Sequence, residues 1–175
     1  ISSFAEQHSE VIDRYYNRLA ENGDSIVQFN TAFVQDCIIL YIPKNIVIEE
    51  TIQIVALLQT NVDILTNRRM LVIMEENSHA SLLLCDHSAT EKQSLSTEVA
   101  EVFLERGASL DLYELEESTG SNTRLGNLFV RQEHDSKFNH CNITLTNGFT
   151  RNYVEVTLEG EGAETSLNGL AIGDK

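Results

Sequence analysis

Four sharp corners recur along this chain at nearly constant spacing, and that recurrence limits the fold more than any other feature. Asn77, Gly107, Asp135 and Gly162 follow one another at steps of 30, 28 and 27 residues. Each is the residue type that tolerates a left-handed backbone, and each is followed by a small residue, Ser78, Ala108, Ser136 or Ala163. Strand-forming runs flank every corner. Leu71 to Met74, Val102 to Leu104, Asn127 to Val130 and Tyr153 to Leu158 enter, while Ala80 to Leu84, Ser109 to Tyr113, Lys137 to His140 and Thr165 to Leu170 leave. A strand, corner and strand unit repeated in this way predicts stacked coils of two strands, a parallel β-helix. An antiparallel sandwich would also give many short strands, but it supplies no reason for the regular spacing of the corners.

The spacing predicts side-chain ladders. Ala80, Leu110, Phe138 and Thr165 lie three residues past their corners, and Leu82, Leu112, His140 and Leu167 lie five past. Stacked coils would place each set in one inward column. Cys85, eight past its corner, falls in register with Leu115, Ile143 and Leu170, where a buried structural cysteine would sit.

Residues 1–36 read as a helical segment and 37–175 as the β-helix. Phe4, His8, Val11, Ile12, Tyr15, Tyr16 and Leu19 recur at helical spacing, which predicts a helix from Phe4 to Glu21 ended by Asn22-Gly23. A second helix is expected from a capping Ser25 through Phe33. Beyond Cys37, short strands are expected at Ile38–Ile42, Asn45–Ile48 and Thr51–Val55, followed by a polar break from Asn61 to Arg69. The chain opens at Ile1 without a methionine and stops at Lys175 directly after a strand, so it reads as an internal fragment whose last coil is truncated.

The charge of −15, from 27 acidic and 12 basic residues, argues against binding nucleic acid or an anionic membrane through phosphates. No apolar run is long enough to span a membrane and no signal peptide is visible, which predicts a cytoplasmic protein. Cys37, Cys85 and Cys141 are odd in number and show no close spacing, as expected of reduced thiols without a metal site. Cys85-Asp86-His87 and His140-Cys141 hold metal-ligand types, but neighbours on a strand face opposite ways, so each pair offers one ligand to a given side. His140 occupies a ladder position otherwise held by leucines and reads as a satisfied core histidine. His79 and His134 adjoin corners, in solvent. Glu75-Glu76, Glu114, Glu116-Glu117, Glu159 and Glu161 could supply the paired carboxylates of a glycosidase, but no pair stands out and solvated faces are the expectation. No phosphate loop, nucleophile elbow or zinc-protease helix is present, so no catalytic, cofactor or metal residue is assigned.

Three stretches carry a family resemblance: F-N-T-A-F-V-Q-D-C-I-I-L-Y-I-P from Phe29 to Pro43, R-G-A-S-L-D-L-Y from Arg106 to Tyr113, and R-N-Y-V-E-V-T-L-E-G-E-G-A-E-T-S-L-N-G-L from Arg151 to Leu170. The chain resembles the SufB/SufD family of iron–sulfur cluster assembly proteins from about Phe29 to Ile172, closer to SufD than to SufB. It departs at Cys37, where a Gly is expected after the Asp, and at Thr51, where a Pro is common. The resemblance implies a right-handed parallel β-helix that serves as an architectural, non-enzymatic subunit. It would pair with a SufB-like protein and work with a SufC-like ATPase on a scaffold that handles an iron–sulfur cluster. The family's SufC-contacting region and its assembly-site histidine would lie past Lys175, so His8, His79, His87, His134 and His140 are not given that role, and no cofactor is expected in this segment. A carbohydrate-active β-helix enzyme is the alternative. It is disfavoured by the absence of tryptophan and of an export signal.

Overall fold

The structure is a computed structural model, and it describes residues 8–21, 23–35, 37–118, 120–146 and 148–173. Helices α1 (Ser9–Tyr15) and α2 (Ser25–Phe33) precede ten strands: β1 (Ile38–Ile42), β2 (Ile52–Leu58), β3 (Ile64–Met74), β4 (His79–Ser88), β5 (Ser94–Leu104), β6 (Ser109–Ser118), β7 (Asn122–Gln132), β8 (Lys137–Thr146), β9 (Phe149–Leu158) and β10 (Glu164–Gly173). All pairing between them is parallel. The odd strands form one sheet in the order β1-β3-β5-β7-β9, and the even strands form the other, β10-β8-β6-β4-β2. Each odd strand turns one corner into the next even strand, which gives a β-solenoid of five coils.

The corners are where the repeat predicted them, with one more at Asn45. Asn45, Asn77 and Asp135 have φ of 60, 56 and 57°, and Gly107 and Gly162 have φ of 67 and 74°. They stack in a column. A Cβ on Gly107 would lie 2.5 Å from Asn77 Oδ1, and one on Gly162 would lie 2.5 Å from Asp135 Oδ1. The left-handed backbone is open to Asn, Asp and Gly alike, and at these two levels the Asn or Asp side chain laid against the corner favours glycine. Ser78, Ala108 and Ser136 are buried behind the corners, and the serine hydroxyls donate to the carbonyls of Glu75 and Glu133, both at 2.6 Å. The repeat shortens from 30 to 28 residues at the opposite turn, which spans 89–93 between β4 and β5 but 119–121 between β6 and β7.

The expected ladders form. Ala80, Leu110, Phe138 and Thr165 are consecutive register partners, as are Leu82, Leu112, His140 and Leu167. With Met70, Val72, Met74, Val102, Leu104 and Val130 from the odd strands they fill the corner half of the lumen with apolar side chains. Leu167 is exposed because nothing described stacks beyond β10.

Several local expectations are corrected. Phe4 lies outside the described residues. Helix α1 ends at Tyr15 rather than Glu21, and Asn17 turns the chain at φ 58°. The cause is tertiary: buried Glu101 on β5 accepts the N–H groups of Asn17, Leu19 and Ala20 at 2.9, 2.8 and 3.2 Å, a set of donors that a continuing helix would have consumed. Glu101 also accepts from Arg69 Nη2 at 2.9 Å, with both side chains fully buried, and the Arg69 guanidinium lies over the Tyr16 ring. The cap of α2 is Asp24, not Ser25, since its carboxylate accepts from Ile26 and Val27 N–H at 3.0 and 3.1 Å. Asn45–Ile48 forms the first corner with a single bridge, Val47 to His79, instead of a strand. The polar stretch Ile64–Arg69 is the first half of β3.

Both helices pack on the outer face of the odd sheet. Tyr15 joins Leu71, Ile73 and Phe103 in one apolar cluster, and Ala20 and Val27 join Val99 and Phe129 in another. Asn30 Nδ2 donates to the carbonyls of Arg68 and Thr97 at 3.1 and 3.3 Å, which pins α2 to β3 and β5.

Candidate functional site

Side chains alternate across a strand, so the positions that continue the apolar ladders away from the corners must also point into the lumen. There the chain places charge. Arg68 precedes Met70 on β3, Glu98 precedes Ala100 on β5 and Arg124 lies two before Gly126 on β7, while Asp86 follows Leu84 on β4 and Glu114 and Glu116 follow Leu112 on β6. One half of the lumen is an apolar core and the other is a charged chamber.

Arg124 organises the chamber. Its Nε donates to Asp86 Oδ2 at 3.1 Å, Nη2 to Glu98 Oε2 at 2.8 Å and Nη1 to Asn152 Oδ1 at 2.6 Å. Glu116 and Glu114 lie 3.8 and 3.9 Å from it. Arg68 adds bonds to Asp86 and to Glu98, the latter at 3.0 Å. Gly126, mid-strand, makes room: a Cβ there would lie 3.0 Å from Arg124 Nη1 and 3.1 Å from Asn152 Oδ1. Burial alone would push the Glu98 carboxyl up, but the Arg68 and Arg124 charges outweigh it and hold it below the usual carboxylate range. Burial disfavours the Arg124 cation, and the surrounding carboxylates of Glu98, Glu114, Glu116 and Asp86 more than restore it.

The expectation that Glu114 and Glu116 sit on solvated faces is wrong. Glu116 is 2% exposed and accepts from Thr150 Oγ1 at 2.7 Å, whereas Glu117, one residue on, points outward. Glu114 Oε2 lies 2.7 Å from His140 Nε2 and accepts from Asn142 Nδ2 at 3.3 Å. His140 is thus the satisfied core histidine that its ladder position suggested, stacked on Phe138 at its apolar side. His134 is exposed and His79 half-buried. Glu76 lies at a corner beside Lys44, and Glu159 and Glu161 are also at the corner end, away from the chamber.

The three cysteines are not brought together, and none forms a disulfide. Cys37 is buried under the helical segment beside Leu71 and Ile73. Cys85 is buried in register with Val55 and Leu115, and Cys141 pairs in register with Tyr113 and Asn168. Both ladders alternate with the inward ones, so these two thiols lie on the outer face of the even sheet, not within the coil. Among the described residues no three His, Cys, Asp or Glu side chains are grouped to hold a metal ion.

A cavity of about 490 Å³ opens the chamber to solvent at the first coil, where β1 is too short to cover it. Arg68, Asp86, Glu98, Glu114, Glu116 and Arg124 line its depth, and Phe33, Ile38 and Leu65 its rim. Two arginines face four carboxylates, so the chamber carries a negative excess suited to a cationic group. The arginines, their partners and Asn152 come from coils two to five, so the same cluster also staples those coils together. The alternation rule could have located these residues from the sequence, since Arg68, Glu98 and Arg124 keep the parity of the apolar ladder; their charge masked it.

Residues 57–175 match the family model described as the SufBD core domain of SUF system FeS cluster assembly, and residues 1–54 match the SufBD protein N-terminal region. An iron–sulfur cluster assembly SufBD family protein from Synechocystis sp. is 20% identical over 182 residues. That alignment covers 98% of this chain and 40% of the relative, so the chain spans less than half of the relative's length. A solenoid of parallel two-strand coils, matched along nearly its whole length by the two SufBD models, makes this chain a member of the SufBD family of the SUF iron–sulfur cluster assembly system.

Proposed function

We propose that the chain is an architectural, SufD-like subunit of a cytoplasmic cluster-assembly scaffold, pairing with a SufB-like protein and working with a SufC-like ATPase. The cluster is the cargo of that assembly and not a cofactor of this segment. The observation that carries the reading is the use made of the lumen charges. In an enzyme of this shape, acid and base groups lining a cavity would be left free for substrate. Here Arg124 commits its donors to Asp86, Glu98 and Asn152, side chains of three coils, and Glu116 accepts from Thr150 on the last coil. Charge that is bound coil to coil holds a shape. Among the described residues no helix is long and apolar enough to cross a membrane.

Co-expression with SufB-like and SufC-like proteins tests the assignment. A stable complex of the three that assembles a cluster from iron and sulfide is the expected result. Polysaccharide cleavage by the chain alone, or failure of both partners to co-purify with it, would overturn the reading.

A further inference from the structure

The first coil lacks half a strand. Strand β1 pairs with β3 only from Met70 to Met74, while β3 begins at Ile64, so among the described residues Ile64–Arg69 is paired on the β5 side alone. The cavity is lined by every residue from Leu65 to Met70, inward-facing and outward-facing alike, which means that it abuts the edge of β3 and not just one face. The direction of the backbone groups follows from the ladder. Ile64 N–H donates to Gln93 beside β5 and Glu75 N–H donates to Ile42 at the end of β1, so even residues of β3 point to β5 and odd ones to the open side. Leu65 and Asn67 therefore present their N–H and C=O groups to the gap.

An open edge beside a chamber fits one kind of guest, an added strand. Six residues of strand span about 20 Å, the length of edge exposed. The outer rim is apolar, with Phe33 59% and Leu65 47% exposed. The inner wall is acidic. Asp86 and Glu98 each give a single oxygen, Oδ2 and Oε2, to the two arginines, and among the described residues Asp86 Oδ1 and Glu98 Oε1 accept no bond. Arg68 Nε is buried without a partner at the same place. We infer that the first coil is a docking site for an extended peptide segment of a partner protein, which adds a strand to the Ile64–Arg69 edge with apolar side chains outward and a lysine or arginine inward toward Asp86 and Glu98. The inference stands apart from the scaffold reading, and failure of the peptide to bind would leave that reading intact.

The probe is the hexapeptide Val-Thr-Val-Lys-Val-Thr, amidated and carrying an N-terminal fluorophore, which puts its valines on one face and its lysine on the other. Anisotropy measures binding and hydrogen exchange maps it. Saturable binding is expected, weakened at least about tenfold when glutamate replaces the lysine, since the attraction becomes repulsion. New protection is expected at the Leu65 and Asn67 amides, with Ile64 and Thr66 unchanged because they are already paired. Leu65→Pro removes one edge donor on the side where a strand tolerates proline and should weaken binding about fivefold. No binding, equal binding of the glutamate peptide, or protection at β9 or β10 instead would overturn the inference. So would Leu65 and Asn67 amides already protected without peptide, or protected only as protein concentration rises, which would assign the gap to this chain itself or to a second copy.

Discussion

At the residue scale, two positions carry more of the fold than their size suggests. Gly107 sits at φ 67° with Asn77 Oδ1 where a Cβ would go. Gly107→Ala should therefore cost about 1–2 kcal/mol for the left-handed backbone and more for the collision, and Asn77→Gly in the same chain should return only the second part. Urea unfolding of the single and double variants separates the two. Arg124→Met removes a buried cation and leaves the half-buried Asp86 and Glu98 with half their compensation, which should cost roughly 3–5 kcal/mol. Glu98, whose carboxyl is held low in the folded chain, adds stability in full above the ordinary glutamate value of about 4.3, and that stability is lost as pH falls through the folded value. Urea midpoints between pH 7 and pH 3 should fall on the acid side, and Glu98→Gln should flatten that fall. Such corners were legible in the sequence because Gly, Asn and Asp announce a left-handed turn. Asn45 escaped because the first coil holds two more residues between corner and ladder than the second: Ile52, seven past Asn45, meets Leu82, five past Asn77.

At the element scale, the turn after α1 is held to the solenoid by the carboxylate of Glu101. Glu101 gathers three backbone N–H groups from the turn after α1 and the buried Arg69. Glu101→Ala should release that turn and strand the arginine, costing about 3–5 kcal/mol, with faster hydrogen exchange at Asn17, Leu19 and Ala20; unchanged exchange there would refute the clamp. Sequence periodicity ran α1 on to Glu21 because apolar residues continued at helical spacing, and nothing local reveals an acceptor more than 80 residues away. The strands were legible wherever the lumen is apolar. Ile64–Arg69 was mistaken for a break because the inward positions of that half-strand meet a charged chamber, so alternation persists in direction but not in polarity.

At the scale of the whole molecule, the described coils stop at β9 and β10. Strands β9 and β10 lie at the margins of their sheets, and Leu167, Leu170 and Ile172 are 51, 53 and 57% exposed. Edges of this kind recruit another strand. Light scattering should show self-association that Leu167→Lys reduces, whereas a clean monomer at high concentration would argue against a sticky edge. In the interior, Leu112→Ala should cost about 2–5 kcal/mol, as for any filled position of a packed ladder.

If the chamber charges shape the coil and perform no chemistry, removing one of them should change stability and leave cluster assembly alone. Glu114→Gln keeps the shape and hydrogen-bonding reach of the side chain beside His140 while removing its charge. In the complex with SufB-like and SufC-like partners, the rate of cluster formation from iron and sulfide should match that of the unsubstituted chain, alongside a lowered urea midpoint. A variant that folds and assembles normally but forms no cluster would contradict a purely architectural chamber.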